Sequence, residues 1–335
     1  MPAHDARSAS PTTARRFLAL LAGAVVALEL VFGFALPVDR GRHEVDRLAR
    51  ETALGAPAGD VVLLADSVCY AVLDPDRARD AGLVDLASNQ SVGVAGNVFL
   101  LERLREARPE PLRAVVYIAS PRSLREGLHN YAHLGPYFTS VFLRDREIAD
   151  VEARLDRSDL VEAMRAERSS ARRRIPSNQR AGWVLHPMSR WLRSAKQRLE
   201  RSRGNTLPPL TRSAQELLAE LSALDSFDPP VETVRYLERL AEVTAEAGAV
   251  LVLCPPPLAP TLRAAWGKSG LAAEYEAWMG AFAGRHDHVL FEPSSRYLPS
   301  DDRLFTDGVH LTPSGKREWE QILFGWLSSD GLDRR

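Results

Sequence analysis

Apolar residues fall along this chain in two ways: one long run near the start, then short runs of strand length separated by amphipathic stretches. Residues 17–38 (FLALLAGAVVALELVFGFALPV) are apolar but for Glu29. A helix crosses a bilayer with about 20 such residues, so this segment is expected to form one N-terminal transmembrane helix. Residues 1–16 then make a cytoplasmic tail, and residues 39–58, charged and rich in alanine, a juxtamembrane linker. Asp60-Val-Val-Leu-Leu-Ala-Asp-Ser67 follows, apolar without alternation. Unbroken runs of this length belong to parallel strands buried on both faces. Leu83-Val-Asp-Leu-Ala87 and Ala114-Val-Val-Tyr-Ile-Ala119 repeat the pattern, and between them a turn bearing Gly93 and Gly96 leads into helical spacing of Leu100, Leu101 and Leu104. Strands and helices in alternation predict a doubly wound α/β sheet.

The rhythm breaks over residues 124–228, where no convincing buried strand appears. The pattern there is helical, interrupted by Pro176, Pro187, Pro208 and Pro209. From Leu160 to Arg203 it carries twelve Arg or Lys against three acids, which makes it a basic insertion. Within it Trp183, Val184, Leu185, Met188, Trp191 and Leu192 mix with Arg180, Arg190, Arg193 and Lys196. That composition fits an interfacial helix on a lipid surface or a partner, or a lid that buries its tryptophans on the α/β body with its arginines in solvent. The α/β pattern returns with a helix over 231–247, a strand over 249–254 stopped by three prolines, a helix over 272–283 and a strand over 288–292. The closing helix has Thr312 as cap, Pro313 in its first turn, and Trp319, Ile322, Leu323, Trp326 and Leu327 on one face. One domain therefore spans 59–328.

Composition narrows the picture. Lys and Arg number 43 against 44 Asp and Glu, a formal charge of −1, so no overall attraction to nucleic acid is implied. The two cysteines, Cys69 and Cys254, sit in or beside apolar runs and read as buried thiols. Arg15 and Arg16 favour a cytoplasmic N-terminus, opposed in part by Arg40, Arg42, Arg47 and Arg50 on the far flank. Gly33-Phe34-Ala35 has the small-x-small form of a signal cleavage site. Anchored or cleaved, the domain is exported: a single-pass protein facing the periplasm or cell surface in the first case, a secreted one in the second. Glu29 within the span is either a tolerated polar residue or a contact to a membrane-protein partner.

Candidate chemistry lies at the ends of strands. Ser67 closes the first buried strand, and in open α/β sheets reactive groups gather beyond the carboxyl ends of strands. A serine hydroxyl attacks an ester only with an imidazole base that is itself held by a carboxylate. Phe305-Thr-Asp307-Gly-Val-His310-Leu-Thr-Pro offers such a pair on a loop before the closing helix. Leu64-Ala-Asp66-Ser67, the Gly93/Gly96 turn and the run from Phe305 to Gly315 resemble, in order and separation, the first, second and last blocks of the SGNH/GDSL hydrolase superfamily. The resemblance covers residues 60–120 and 230–328.

It implies a three-layer α/β/α, flavodoxin-like parallel sheet with the helical insertion after its third strand. By the same resemblance Ser67 is the nucleophile, His310 the general base and acid, and Asp307 the group that orients it. The oxyanion hole comes from the N–H groups of Ser67 and Gly93, each such donor being worth about 3 kcal/mol in the transition state, either alone or with Asn97, Asn89 or Arg122 in place of a missing side-chain donor. That donor is missing because Ala119-Ser-Pro-Arg122 stands where the family has Gly-x-Asn-Asp. Relatives that move acyl groups onto envelope polymers share this loss and the N-terminal anchor. An esterase, an O-acyltransferase acting on a cell-envelope polysaccharide, or an inactive binding module are the functions implied. The substrate is an acylated small molecule or glycan, with no cofactor and no metal. Asp66 is expected to shape the Ser67 turn. His129 and His133, spaced four apart, lack a third metal ligand of suitable spacing; His286-Asp287-His288 reads as a solvated turn, and Cys69 as packing.

Overall fold

The computed structural model describes residues 20, 23–24, 27, 44–70, 72–88, 92–125, 142–174, 212–293, 299 and 301–328. The chain divides into two compact units, residues 1–40 with 171–205, and residues 41–170 with 206–335. In the first, Leu20, Gly23, Ala24 and Ala27 are helical. The rest of the 17–38 segment, His129 and His133, Asn89 and the tryptophan-bearing stretch 183–196 lie outside the described residues. Among the described residues no helix is long and apolar enough to cross a membrane.

The second unit is built on a five-stranded parallel sheet in the order β2-β1-β3-β4-β5. Its strands are β1 (Val61–Ala65), β2 (Leu83–Asp85), β3 (Ala114–Ile118), β4 (Val250–Cys254) and β5 (Val289–Phe291). β1 pairs β3 along its whole length, from Val61 opposite Ala114 to Ala65 opposite Ile118. The unalternated apolar runs have their expected consequence. Every residue of β1 and of β3 is buried, and each large aliphatic side chain so placed contributes about 1.5–3 kcal/mol of transfer free energy. The order reverses at β1 and β3. That reversal opens a crevice at the carboxyl ends of these two strands, where sheets of this kind bind ligands.

Helices α1 (Glu44–Ala53), α2 (Pro75–Asp80), α3 (Gly93–Ala107), α4 (Pro121–Arg125), α5 (Asp145–Leu155), α6 (Ser158–Arg174), α7 (Arg212–Ser222), α8 (Val231–Glu246), α9 (Pro260–Ser269), α10 (Leu271–Ala283) and α11 (Pro313–Ser328) complete the described elements, with one 3₁₀ turn at Asp302–Leu304. This arrangement is consistent with three α/β/α layers. α3 lies against both α1 and α8, which explains why it is apolar on most sides and not amphipathic. Every described element of the inserted region is a helix, as its pattern predicts, joined by short non-helical links.

Two features depart from the sequence reading. α9 starts at Pro260, three residues after the prolines that stop β4 and ahead of the helix expected from residue 272, because a proline at the first helical position gives up an N–H that has no intrahelical partner anyway. His286 and His288 border a turn but are half-buried: the His286 ring lies 5.0 Å from that of Phe282, and His288 Nε2 is 2.9 Å from the Ala241 carbonyl.

One buried ion pair joins the insertion to the body. The Arg103 side chain on α3 is 1% exposed and Glu147 on α5 is 4% exposed. Arg103 Nε donates to Glu147 Oε1 at 2.7 Å and Nη2 to the Phe142 carbonyl at 2.7 Å, while Nη2 also donates to Glu147 Oε2 at 2.5 Å. Glu147 in turn accepts from the Arg144 N–H at 2.7 Å at the start of α5. The insertion is thereby pinned to α3 at the first turn of α5.

Candidate active site

β1 ends at Ala65 and the chain turns at once. Asp66 Oδ1 accepts the Val68 N–H at 3.0 Å, and the Cys69 N–H donates to the Asp66 carbonyl at 3.2 Å. This tight turn holds Ser67 at the carboxyl end of the strand, and Asp66 shapes it as expected. Cys69, 1% exposed, packs into the core.

The second half of the site is a loop closed on itself. Phe305 and Leu311 form an antiparallel bridge, and the Thr306 N–H donates to the His310 carbonyl at 2.7 Å. Inside it Asp307 Oδ1 accepts the N–H groups of His310 at 2.8 Å and Val309 at 3.2 Å. Gly308 takes φ +93°, a conformation that favours glycine, and a Cβ there would meet Leu218 Cδ1 of α7 at 2.8 Å, displacing that side chain. The Gly308 carbonyl accepts the Ala259 N–H at 2.9 Å. At the exit, Thr312 Oγ1 accepts the Gly315 N–H at 3.2 Å and starts α11. A Cβ on Gly315 would lie 2.2 Å from the Leu304 carbonyl oxygen, so glycine lets this helix approach the loop closely.

Ser67, Asp307 and His310 are brought together. Ser67 Oγ lies 3.1 Å from His310 Nε2, and His310 Nδ1 lies 2.7 Å from Asp307 Oδ2. An ionised carboxylate only accepts hydrogen bonds. The proton of a neutral imidazole therefore sits on Nδ1, which leaves the Nε2 lone pair facing the serine hydroxyl.

Charge supports the same arrangement. The hydrogen bond to Asp307 raises the His310 pKa above its ordinary 6.5, against a smaller opposing effect of burial. Burial on its own would raise Asp307, but hydrogen bonds from the His310 ring and from two backbone N–H groups together hold it below 3.8. Asp66 moves the other way: burial raises it, only partly offset by hydrogen bonds from Val68 and Ser123.

Gly93 is the buried first residue of α3, with φ +61°. Asn97 is 1% exposed and its Nδ2 donates to the Gly93 carbonyl at 2.8 Å, so its amide ties down the start of α3. Arg122 pairs with Glu220 of α7 at 3.2 Å. At the end of β3, Ser120 and Ser123 cap α4 reciprocally: each side-chain oxygen accepts the other's backbone N–H at 3.0 Å. Ser123 also bonds to Asp66, which links this cap to the nucleophile turn. The sequence reading passed over Ser123, although Ser-Pro-x-Ser is a legible helix-start signal. It also passed over Leu218 and Glu220, whose contacts with the site are long-range and leave no local trace. Among the described residues no group of three or more His, Cys, Asp or Glu is placed to hold a metal ion.

No protein-family profile and no curated protein matches the chain. Among solved structures it is similar to a protein from Streptococcus pneumonia provisionally described as a platelet activating factor, at 9% identity, with 93% of this chain and 99% of that one covered and a TM-score of 0.37. Similarity at that level says nothing about activity.

Proposed function

We propose that this chain is a serine ester hydrolase of the SGNH/GDSL kind, acting on O-acyl esters through an acyl-Ser67 intermediate, exported and held at a membrane by residues 17–38. The observation that carries the reading is the unbroken relay from Ser67 Oγ to His310 to Asp307, with contacts of 3.1 and 2.7 Å.

As Ser67 Oγ attacks the ester carbonyl carbon, its proton passes to His310 Nε2. Asp307 stabilises the imidazolium that forms and keeps the ring in place. The carbonyl oxygen becomes an oxyanion, for which the N–H groups of Ser67 and Gly93 are the proposed donors. Collapse breaks the bond to the alcohol oxygen, which leaves with the proton from His310. Water then repeats the sequence on acyl-Ser67, losing a proton to His310 and releasing the acid. A glycan hydroxyl in place of water gives acyl transfer. This second reading is favoured by Ser120-Pro121-Arg122 standing where a side-chain oxyanion donor is expected.

Hydrolysis of 4-nitrophenyl acetate by the purified full chain tests the proposal. Turnover lost in Ser67→Ala and His310→Ala supports it, and turnover that survives Ser67→Ala refutes it. Added polysaccharide that becomes acetylated at the expense of acetate release assigns transfer.

A further inference from the structure

A groove of about 750 Å³ is lined by residues that closely follow the relay in sequence, Tyr70 three residues after Ser67 and Pro313 three after His310. Its walls come from the segment after the nucleophile turn (Tyr70, Val72), the end of β2 (Asp85) and the first turns of α11 (Lys316, Arg317). Two of its walls continue the segments that carry Ser67 and His310, and Arg47 of α1 and Arg77 of α2 complete it. Lys316 is near enough for its charge to oppose protonation of His310.

The charges in this groove are unevenly satisfied. Glu320 is spent on the Asp74 N–H at 2.6 Å and on Arg77 at 2.7 Å. Asp74 caps α2, accepting two N–H groups at 3.0 Å, and Asp85 accepts the Ala87 N–H at 2.9 Å. Arg47 pairs with Glu51 on its own helix at 2.6 Å. Lys316 is different. Its ammonium is half-buried and donates to the Tyr70 carbonyl at 2.9 Å, and among the described residues no carboxylate neutralises it. Burial accordingly lowers its pKa. The adjacent Arg317 also lines the groove and has no ion-pair partner among the described residues. A half-buried ammonium held by one carbonyl retains two N–H donors and an uncompensated charge. An anion entering the groove would satisfy both.

Chemistry then assigns which part of the substrate lies there. The imidazole that protonates the leaving oxygen must face the alcohol side of the ester, and the groove adjoins the element that follows His310. We infer that this groove is the alcohol-side subsite, and that it selects esters whose alcohol portion carries a carboxylate or a phosphate, held by Lys316 and Arg317. The inference rests on the serine-hydrolase reading for its orientation.

The test compares three acetate esters of one phenol skeleton on the full chain: 3-acetoxybenzoate, its neutral counterpart 3-acetoxybenzamide, and 3-acetoxyphenyl phosphate. The quantity read is the ratio of kcat/KM for each anion to that for the amide, which removes any common effect on the relay. The expected ratio is about tenfold or more, as for charge-assisted hydrogen bonds, and it falls with added salt. It drops roughly tenfold in Lys316→Met and less in Arg317→Gln. The better of the two anions identifies the group. Arg317→Gln changes an exposed side chain, so a folding defect in Lys316→Met does not close the test.

A ratio near one, or one unchanged in both variants, overturns the inference. If the folded wild type cleaves none of the esters, it is the hydrolase reading that fails. The groove is then read by titration calorimetry with 3-hydroxybenzoate and 3-hydroxybenzamide: anion-selective binding weakened by Lys316→Met sustains an anion site, and equal or absent binding removes it.

Discussion

Replacing Asp307 by asparagine changes one atom and inverts the site. In the wild type Oδ1 accepts two backbone N–H groups, at 2.8 and 3.2 Å, and Oδ2 accepts His310 Nδ1–H at 2.7 Å. An asparagine must put its carbonyl oxygen where Oδ1 was, because turning the NH₂ group there would leave two N–H groups facing another donor. The NH₂ then faces Nδ1 and donates to it. Nδ1 becomes the acceptor, the ring proton moves to Nε2, and that proton now points at Ser67 Oγ, 3.1 Å away. A protonated Nε2 cannot take the serine proton. Enforcing the wrong tautomer in an otherwise intact relay costs about 10⁴-fold in kcat, or about 5.5 kcal/mol of activation free energy at 1.36 kcal/mol per decade.

The assay is turnover of 4-nitrophenyl acetate, with thermal unfolding as the control for fold and ¹⁵N chemical shifts of the His310 ring reporting the tautomer. Asp307→Asn should still fold cooperatively, at a lower Tm, because the loop's backbone hydrogen bonds survive, and be no more active than Asp307→Ala. A folded Asp307→Asn that keeps more than about a tenth of wild-type kcat refutes the reasoning, since a tenfold loss is only about 1.4 kcal/mol.

His310 acts as a base only when neutral, and Asp307 raises its pKa, so kcat/KM should rise with pH to a half-point above 6.5; a half-point below 6.5 in a pH–rate profile contradicts this. The same pair makes stability depend on pH. The raised His310 value stabilises the fold below 6.5 and the benefit is lost as pH rises through it; the lowered Asp307 value stabilises above 3.8 and is lost as pH falls through it. The Tm difference between wild type and Asp307→Asn should therefore peak between pH 3.8 and 6.5. Gly308→Ala places a Cβ 2.8 Å from Leu218 Cδ1 at φ +93°, and should cost about 1–3 kcal/mol in urea unfolding together with most of kcat; adding Leu218→Ala should relieve the contact but not the backbone strain. Arg103→Met leaves Glu147 buried without its cation and should cost about 3–5 kcal/mol, most of it recovered in Arg103→Met/Glu147→Leu. A loss under about 1 kcal/mol on urea unfolding of the single variant contradicts that placement.

The parts of this fold that were legible in the sequence are those whose physics is local. Val61–Ala65 and Ala114–Ile118 are buried on both faces, so their apolarity shows without any knowledge of neighbours. The loop from Phe305 to Gly315 is equally readable, because Asp307 caps its own turn and Thr312 caps the next helix. What stayed hidden depends on contacts between distant segments. Arg103 reads as a solvated charge on a helix, and its partner Glu147 lies in the insertion. α9 was masked by prolines that also serve as helix starts. The groove at Lys316 needs β2, the nucleophile turn and α11 in register before it exists. Neither the order of strands nor the approach of α7 to Gly308 is written in any single segment.

The most direct measurement is labelling of the folded chain with a fluorophosphonate, followed by mass spectrometry of its peptides. Attack by an activated serine should leave the phosphonyl group on Ser67 alone, with labelling abolished in His310→Ala and after heat unfolding. A folded protein that takes up no label, or takes it equally well with His310 removed, would show that these three side chains meet without forming a working nucleophile.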